Sequence, residues 1–295
     1  MPALHRSSIC PAHSSDATQR RVLCRSASRF AGWLLLCGAI GCSSGGGQAP
    51  PDVPVDLATP SPDLAMVPRI FSAFPGCGPE LFADGTKPED FSSQMAFEQG
   101  WLTAWTKPQV SSGALSFGPH PLSADWWENY SPATTRSKPG DVLICARLRM
   151  MAQKNDPVGD NSMELTMRIP DAAMYETAGM VLLISGNAAQ VSLRTRTGPD
   201  SWVHYAQAPL AMDSGVETAY DVLLYGQGSR FVAEVRNTLT GQIAQLRADS
   251  PLPAGGAVSL VGWRSRNGIA VDKLMLGQPS VAAAERLMTA LSPLP

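Results

Sequence analysis

The sequence predicts an all-β domain, an antiparallel two-sheet sandwich, from three observations. Short runs of alternating apolar and polar residues recur at roughly ten-residue spacing between residues 141 and 276. Turns rich in Gly, Asn and Asp separate these runs, as in β-sandwiches and β-barrels. No long amphipathic helical pattern interrupts the series. Residues 70–278 are numerous enough for one sandwich domain.

The individual strands follow from alternation. The run DVLICARLRM places Val142, Ile144 and Leu148 on one face, and SMELTMRI repeats this scheme with Met163 and Leu165. The only helical pattern is the alanine-rich tail 281–291, a cap or a frayed end. Strands are predicted at 141–150, 162–169, 180–184, 191–196, 219–225, 230–236, 241–247, 257–262 and 269–276.

The N-terminal region has the pattern of an export signal. The apolar run 30–40 is too short to span a bilayer and follows a group of arginines. It ends in Gly38, Ala39 and Gly41 before Cys42, which resembles the lipobox of bacterial lipoproteins. That resemblance implies cleavage before Cys42, lipidation of its thiol and attachment to a membrane through the N-terminal lipid. The alternative is an ordinary secretory signal with a coincidental cysteine.

Composition divides the chain into four parts. Residues 1–41 are the signal peptide, and residues 42–69, rich in Gly, Pro and Ser, are a disordered linker. Residues 70–278 form the sandwich, and residues 279–295 are the tail. Ser43 after the lipidated cysteine resembles the signal for the outer membrane, so we expect the outer membrane or cell surface of a Gram-negative bacterium.

Charge excludes one class of partner. The whole chain has 23 basic and 25 acidic residues. Removing the first 41 residues, with five Arg and one Asp, leaves 18 against 24 and a net charge of −6. An acidic exported protein has no electrostatic footprint for nucleic acid, so we expect no nucleic-acid binding.

Export also changes the cysteine count. Once the signal is removed and Cys42 is lipidated, Cys77 and Cys145 remain as an even pair in an oxidising compartment. We expect them to form a disulfide. The alternative is a pair of free thiols, with Cys145 buried in a strand.

Several motifs resemble concanavalin A-like (laminin-G-like) jelly rolls of bacterial surface proteins. They are LFADGTKPEDFSSQMAFEQGWLTAW, SSGAL, YDVLLYGQGSRFVAEVRNTLTG and GGAVSLVGWRSRNGIAVDKLML, with Asp272 before the last apolar run. The resemblance covers residues 80–278. It implies two antiparallel sheets, one of them concave, with ligands on the concave face or at edge loops.

Catalysis is not expected. Retaining glycosidases of this superfamily need two neighbouring carboxylates on one strand, and here Glu164 has no partner within the motif. We interpret Glu164 as a solvent-facing residue across from an arginine. A divergent glycoside hydrolase is the low-ranked alternative.

Carbohydrate binding is favoured by aromatic residues in two loops. The apolar face of a sugar stacks on such rings while polar neighbours bind its hydroxyls. The alternative is that one tryptophan of each set belongs to the core; Trp101, Trp105 and Trp263 are interpreted as packing residues. The candidate ligand-binding residues are Trp126, Trp127, Asn129, Tyr130, Trp202 and Tyr205.

Calcium is a possible ligand, although no cofactor is required. Asp156, Asp160 and Asn161 offer clustered oxygens in one turn, which suit a hard cation, but such runs also form ordinary turns. The sequence therefore predicts a non-catalytic, lipid-anchored recognition module for carbohydrate. An adhesion or assembly lipoprotein that binds a surface protein is the alternative.

Overall fold

The computed structural model describes residues 69–123, 125–156, 160–170, 179–198 and 201–292. The predicted signal peptide, Cys42 and nearly all of the linker lie outside these residues. The elements of the described part are α1 Gln94–Gly100, β1 Trp101–Thr103, β2 Gln109–Ser111, β3 Ala114–Phe117, β4 Tyr130–Thr135, β5 Leu143–Met151, β6 Ser162–Ile169, β7 Met180–Ser185, β8 Gln190–Gly198, β9 Ser201–Pro209, β10 Glu217–Gln227, β11 Arg230–Asn237, β12 Ile243–Asp249, β13 Ala257–Trp263, β14 Ile269–Gly277 and α2 Val281–Leu291.

The strands form two seven-stranded antiparallel sheets. The front sheet has the order β1-β4-β13-β6-β7-β8-β9, and the back sheet has the order β12-β11-β10-β5-β14-β3-β2. Every pairing between neighbours is antiparallel. The predicted all-β two-sheet sandwich is confirmed.

The main core lies between the two sheets, where alternation predicted it. Ile144 and Leu148 of β5 point inward from the back sheet, and Met163 and Leu165 of β6 point inward from the front sheet. Because successive side chains of a strand point to opposite faces, Glu164 must point away from this core. The outer faces of the two sheets differ in what they carry.

Part of the outer face of the back sheet is covered by a second apolar cluster. The segment at 70–82 and helix α2 pack on outward residues such as Leu143, Leu223 and Val232. Helix α2 occupies the range of the predicted tail, and it is docked rather than frayed because Leu287 is fully buried. A disulfide joins Cys77 in this segment to Cys145 of β5, so that prediction is confirmed.

A buried carboxylate holds the start of the domain on the back sheet. Glu234 of β11 accepts hydrogen bonds from the backbone N–H of Ile70 at 2.7 Å and of Phe71 at 2.9 Å. The side-chain amide of Gln245 donates a third at 2.7 Å. Burial raises the pKa of Glu234 in spite of these donors.

No described helix has the length and apolar character needed to cross a membrane.

Several elements were not predicted. Helix α1 is seven residues long. The hydroxyl of Ser93 caps its N-terminus by accepting a hydrogen bond from the backbone N–H of Ala96. Strand β4 contains Pro132, and its side chains are buried on both faces, so it shows no alternation. Strand β9 lies at the sheet edge, and most of its side chains are at least partly exposed.

Candidate functional site

The outer face of the front sheet carries polar side chains in neighbouring strands. In register, Glu164 of β6 lies between Val261 of β13 and Leu183 of β7. Thr166, two residues further along β6, lies opposite Ser259 of β13 and points to the same outer face. This face therefore presents hydrogen-bonding groups in neighbouring strands.

Arg194 connects three strands of this face. Its guanidinium reaches across β7, and one terminal nitrogen lies 2.5 Å from Oε1 of Glu164. The same guanidinium lies 3.7 Å from the centre of the Trp202 ring on β9, a cation–π contact. The guanidinium of Arg196 lies 5.3 Å from that ring. The arginines thus place a buried carboxylate beside a half-buried tryptophan.

A second carboxylate enters the site from the turn before β6. Asp160 and Asn161 both donate their backbone N–H groups to the carbonyl of Arg264 at 3.1 Å. Arg264 itself donates its N–H to the carbonyl of Asn129 at 2.8 Å, and its φ of 44° lies in the left-handed region. The side chain of Trp263 donates a hydrogen bond to the Asp160 carboxylate.

A buried hydrogen-bond network supports this turn from below. His120, only 5% exposed, accepts the backbone N–H of Ser265 at Nδ1, 3.0 Å away. Its Nε2 lies 2.7 Å from the hydroxyl of Ser131, to which it donates in the resulting tautomer. The Ser265 hydroxyl donates to Oδ1 of Asn161 at 2.6 Å. These bonds fix the backbone on both sides of Arg264.

The charges of the site are mutually dependent. Burial raises the pKa of Glu164, and the positive charge of Arg194 opposes that rise. Burial also raises the pKa of Asp160, while Arg264 and Arg194 both lower it. Asp160 is close enough to Glu164 to raise its pKa further. We call Asp160, Glu164, Arg194, Arg196, Trp202, Trp263 and Arg264 the outer-face site.

Aromatic rings continue the site toward β4. The ring of Tyr130 lies 5.2 Å from that of Trp105 and 5.3 Å from that of Trp263, measured between centroids. Trp127, in the 3-10 turn before β4, is 45% exposed. Trp105 is 38% exposed, so its interpretation as a packing residue was only partly right, whereas Trp101 is fully in the core.

The residues predicted to bind sugar are divided between faces. The structure places Trp202 on the outer face and Trp127 at its β4 end, and the side chain of Trp126 lies outside what the structure describes. Asn129 is 1% exposed, and its amide donates to the carbonyls of Ser123 and Asp125. Its role is to hold the turn.

Tyr205 belongs to the opposite face of β9. Its hydroxyl donates to the Ser250 hydroxyl at 3.0 Å, and the ring packs against the main core. It therefore lies apart from Trp202, although the two residues are close in sequence.

The three residues predicted for calcium are not gathered around one point by their contacts. Asp156 pairs with Arg266 at 3.2 Å. The side-chain amide of Asn161 donates to the carbonyl of Met151 and accepts from Ser265. Among the described residues, no group of three or more His, Cys, Asp or Glu side chains is arranged for a metal ion.

Glu164 requires a correction. It was interpreted as solvent-facing, but it is only 9% exposed. The reason is that long side chains from β8, Arg194 above all, lie across it. The expected arginine neighbour is present, although it reaches from two strands away and not from an adjacent strand. In the sequence, the alternation of Val191 and Leu193 with polar residues was the signal that Arg194 faces outward.

Comparisons with known proteins identify the fold. Family models give no match to the sequence, and neither do curated proteins. Among solved structures, the VIP36 exoplasmic/lumenal domain in its Ca2+/Man3GlcNAc-bound form matches with a TM-score of 0.50 and 10% identity, over 66% of this chain and 89% of that chain. The chain therefore shares the two-sheet β-sandwich fold of that domain. The carbohydrate binding module CBM66 from Bacillus subtilis has a TM-score of 0.43 and 12% identity, over 61% and 93% of the two chains. The Bacillus licheniformis beta-glucanase matches with a TM-score of 0.45 and 13% identity, over 66% of this chain and 98% of that chain.

The outer-face site combines the groups that a polar ligand with an apolar side requires. Trp202 and Trp263 offer half-buried ring surface, and the arginines and carboxylates offer donors and acceptors beside it. Such an arrangement suits a ring-shaped ligand with hydroxyls along its rim.

Proposed function

We propose that this protein is a lipid-anchored, non-catalytic recognition module that binds carbohydrate at the outer-face site. The observation that carries the proposal is the contact of Arg194 with both Glu164 and Trp202. It places charged hydrogen-bonding groups and aromatic surface side by side on one sheet. On the opposite sheet, part of the outer face is covered by apolar packing.

The fold is compatible with this proposal. The VIP36 domain, with which the chain shares its sandwich, was solved with Ca2+ and Man3GlcNAc bound. Calcium therefore stays a prediction for this chain, and it is tested together with the glycan. A metal that binds the folded state raises the melting temperature by mass action. An unchanged melting temperature in millimolar Ca2+ would remove calcium from the proposal.

A glycan-array screen of the whole chain, purified in detergent with and without calcium, tests the function. Trp202→Ala is expected to abolish binding to any hit, because the sugar would lose its stacking surface. Trp127→Ala tests the β4 end of the site in the same way. Met288→Ala is the matched control, since it removes an exposed apolar side chain from α2 on the other sheet.

The outcomes separate the candidate functions. Loss of glycan binding in Trp202→Ala, at unchanged melting temperature, supports recognition at the outer face. Loss only in Trp127→Ala moves the site to the β4 end. A folded protein that binds none of the glycans contradicts carbohydrate recognition and favours an adhesion or assembly protein with a protein partner.

The anchor is a separate part of the proposal. We infer from the lipobox pattern that Cys42 carries the lipid and that the protein resides in the outer membrane or at the cell surface of a Gram-negative bacterium. Cys42→Ser should move the protein from the membrane fraction to the soluble fraction. Protease treatment of intact cells then distinguishes surface exposure from a periplasmic position.

A glycosidase is the second candidate, favoured by one observation. Asp160 and Glu164 lie near each other on the site, and burial raises the pKa of both. Paired carboxylates with perturbed pKa values are the machinery of glycoside hydrolysis. Release of reducing sugar that disappears in Glu164→Gln and Asp160→Asn would establish this activity. Binding without turnover supports the non-catalytic module.

A further inference from the structure

We infer that helix α2 is the surface of the domain that faces the membrane, so that the outer-face site on the opposite sheet points away from the bilayer. This inference rests on the lipid anchor at Cys42, which is part of the proposed function. It goes beyond that proposal because it states which side of the domain meets the lipid. The partner is the surface of a phospholipid bilayer.

The first argument is the point where the tether enters the domain. The first residues of the domain are held on the outer side of the back sheet, because Glu234 of β11 accepts the backbone N–H groups of Ile70 and Phe71. The disulfide then fixes the same segment to β5. Residues 42–69 therefore join the domain on this side, and fully extended they span at most about 95 Å.

The second argument is that helix α2 lies beside this entry point and is held firmly there. Its Leu287 belongs to the same buried apolar cluster as Ile70. At the start of the helix, the backbone N–H of Ser280 donates to a carbonyl of the entering segment at 2.9 Å. At its end, the guanidinium of Arg230 donates to the carbonyl of Leu291 at 3.1 Å. The helix is thus a fixed surface on the side of the tether.

The third argument is the composition of the exposed side of α2. Val281 is 79% exposed and Met288 is 46% exposed, although both side chains are large and apolar. Their spacing is about two turns, so they lie on the same side of the helix, with the half-buried Ala284 between them. Glu285 and Arg286 are exposed on the neighbouring lines of the helix. An apolar stripe beside charged residues is the pattern of a helix that lies on a bilayer surface.

The tether makes this small stripe sufficient. A domain tied to the bilayer meets its surface at an effective concentration that the linker sets, in the millimolar range for a short flexible linker. Insertion of two apolar side chains then orients the domain, although the same contact would not hold a free protein. The core lies between the two sheets, so a domain that rests on α2 presents the front sheet, with Trp202, to the surrounding medium.

Fluorescence quenching by nitroxide-labelled lipid measures which side meets the bilayer. With Cys42 lipidated and Cys77 joined to Cys145, an introduced cysteine is the only free thiol beyond the predicted signal. The lipidated chain is placed in vesicles of phosphatidylethanolamine and phosphatidylglycerol, with a fluorophore at Thr289→Cys on α2 or at Gln207→Cys on β9, both exposed positions. We expect the nitroxide to quench most of the fluorescence at Thr289→Cys and little of it at Gln207→Cys.

Met288→Asp is the decisive variant, because a carboxylate is costly to insert into lipid, whereas this side chain is exposed in the free domain. With the fluorophore at Thr289→Cys, it should lower the quenching to the level seen at Gln207→Cys. Leu239→Asp makes the same kind of change at an exposed apolar side chain in the turn between β11 and β12, and it should leave the quenching intact. Val281→Asp is the second variant if the melting temperature shows that Met288→Asp fails to fold.

The failures are distinguishable. A chain that does not float with the vesicles, and whose Cys42 carries no lipid by mass spectrometry, overturns the anchor and this inference together, while glycan recognition is judged separately on the array. An anchored chain whose two labelled positions are quenched alike, or whose Met288→Asp variant is quenched as strongly as its parent, overturns the inference and leaves the anchor standing. An equal loss of quenching in Leu239→Asp also overturns it, because any added acidic residue would then weaken the contact.

Discussion

Acidification should destabilise this domain through a single histidine. His120 is buried between β4 and the turn at Ser265, and burial lowers its pKa from 6.5 to about 4. The folded environment therefore favours the neutral ring, while in the unfolded chain the ring titrates with its ordinary pKa of 6.5. The contribution of His120 to the free energy of unfolding must therefore fall as the pH drops from 6.5 toward 4, and it levels off below about 4.

The magnitude follows from that difference in pKa. One pKa unit corresponds to about 1.4 kcal/mol, so the complete effect is about 3.4 kcal/mol. About 2 kcal/mol of this loss of stability falls between pH 7 and pH 5, as the linkage of proton binding to unfolding requires. Asp160, Glu164 and Glu234 have raised pKa values and change stability in the opposite sense, since the folded state binds their protons more tightly. A variant comparison is needed to isolate the histidine.

Urea denaturation of the wild-type chain and of His120→Asn at both pH values provides that comparison. The asparagine carbonyl can accept the N–H of Ser265 but does not titrate in this range. We expect the wild type to lose about 2 kcal/mol more than His120→Asn on going from pH 7 to pH 5. An identical pH dependence of the two proteins, or an NMR titration of His120 near pH 6.5, would refute the reasoning.

Further predictions concern the back sheet. Replacing both Cys77 and Cys145 with serine should lower the free energy of unfolding by about 4 kcal/mol, because the disulfide closes a loop of 68 residues. Urea denaturation measures this free energy, and a loss below about 1 kcal/mol contradicts the prediction. Glu234→Gln should cost about 1–3 kcal/mol and accelerate hydrogen exchange at Ile70, since a neutral oxygen replaces the bound carboxylate. Unchanged exchange there would disprove this role. Asp221→Asn should cost about 3 kcal/mol in the same denaturation assay, because it leaves two arginines without their buried partner.

A matched control accompanies the last prediction. Asp272 pairs with Arg149 at 2.8 Å but is partly exposed, so Asp272→Asn should cost at most about 1 kcal/mol. If both asparagine variants are equally stable, burial is not what makes the Asp221 pair important.

The strands were predictable because alternation is a local property of the sequence. The ranges predicted around Ile144 and Met163 coincide with β5 and β6 to within a few residues, since apolar and polar residue types alternate along each strand. Strand β4 was not predicted because its sequence, YSPATT, has no alternation of large apolar and polar residues and contains Pro132. The disulfide followed from counting the cysteines that the expected cleavage and lipidation would leave.

The outer-face site was only partly predictable because its parts are far apart in sequence. Trp202 and Asp160 were identified, but for different reasons and as members of different sites. The contact of Glu164 with Arg194 depends on strand order, because β7 lies between their strands. The role of Arg264 depends on its left-handed backbone conformation, which the conformational preference of arginine does not predict. Long-range pairing and local conformation decide both.

The position of the disulfide has a mechanical consequence. Cys145 belongs to β5, the middle strand of the back sheet, which is hydrogen-bonded to β10 on one side and to β14 on the other. A pull on the N-terminal side of the domain can peel away only the residues before Cys77. Beyond that point the covalent bond carries the load into β5, where two hydrogen-bond ladders must shear together. The front sheet lies outside this load path, so its strand pairing does not bear the pull.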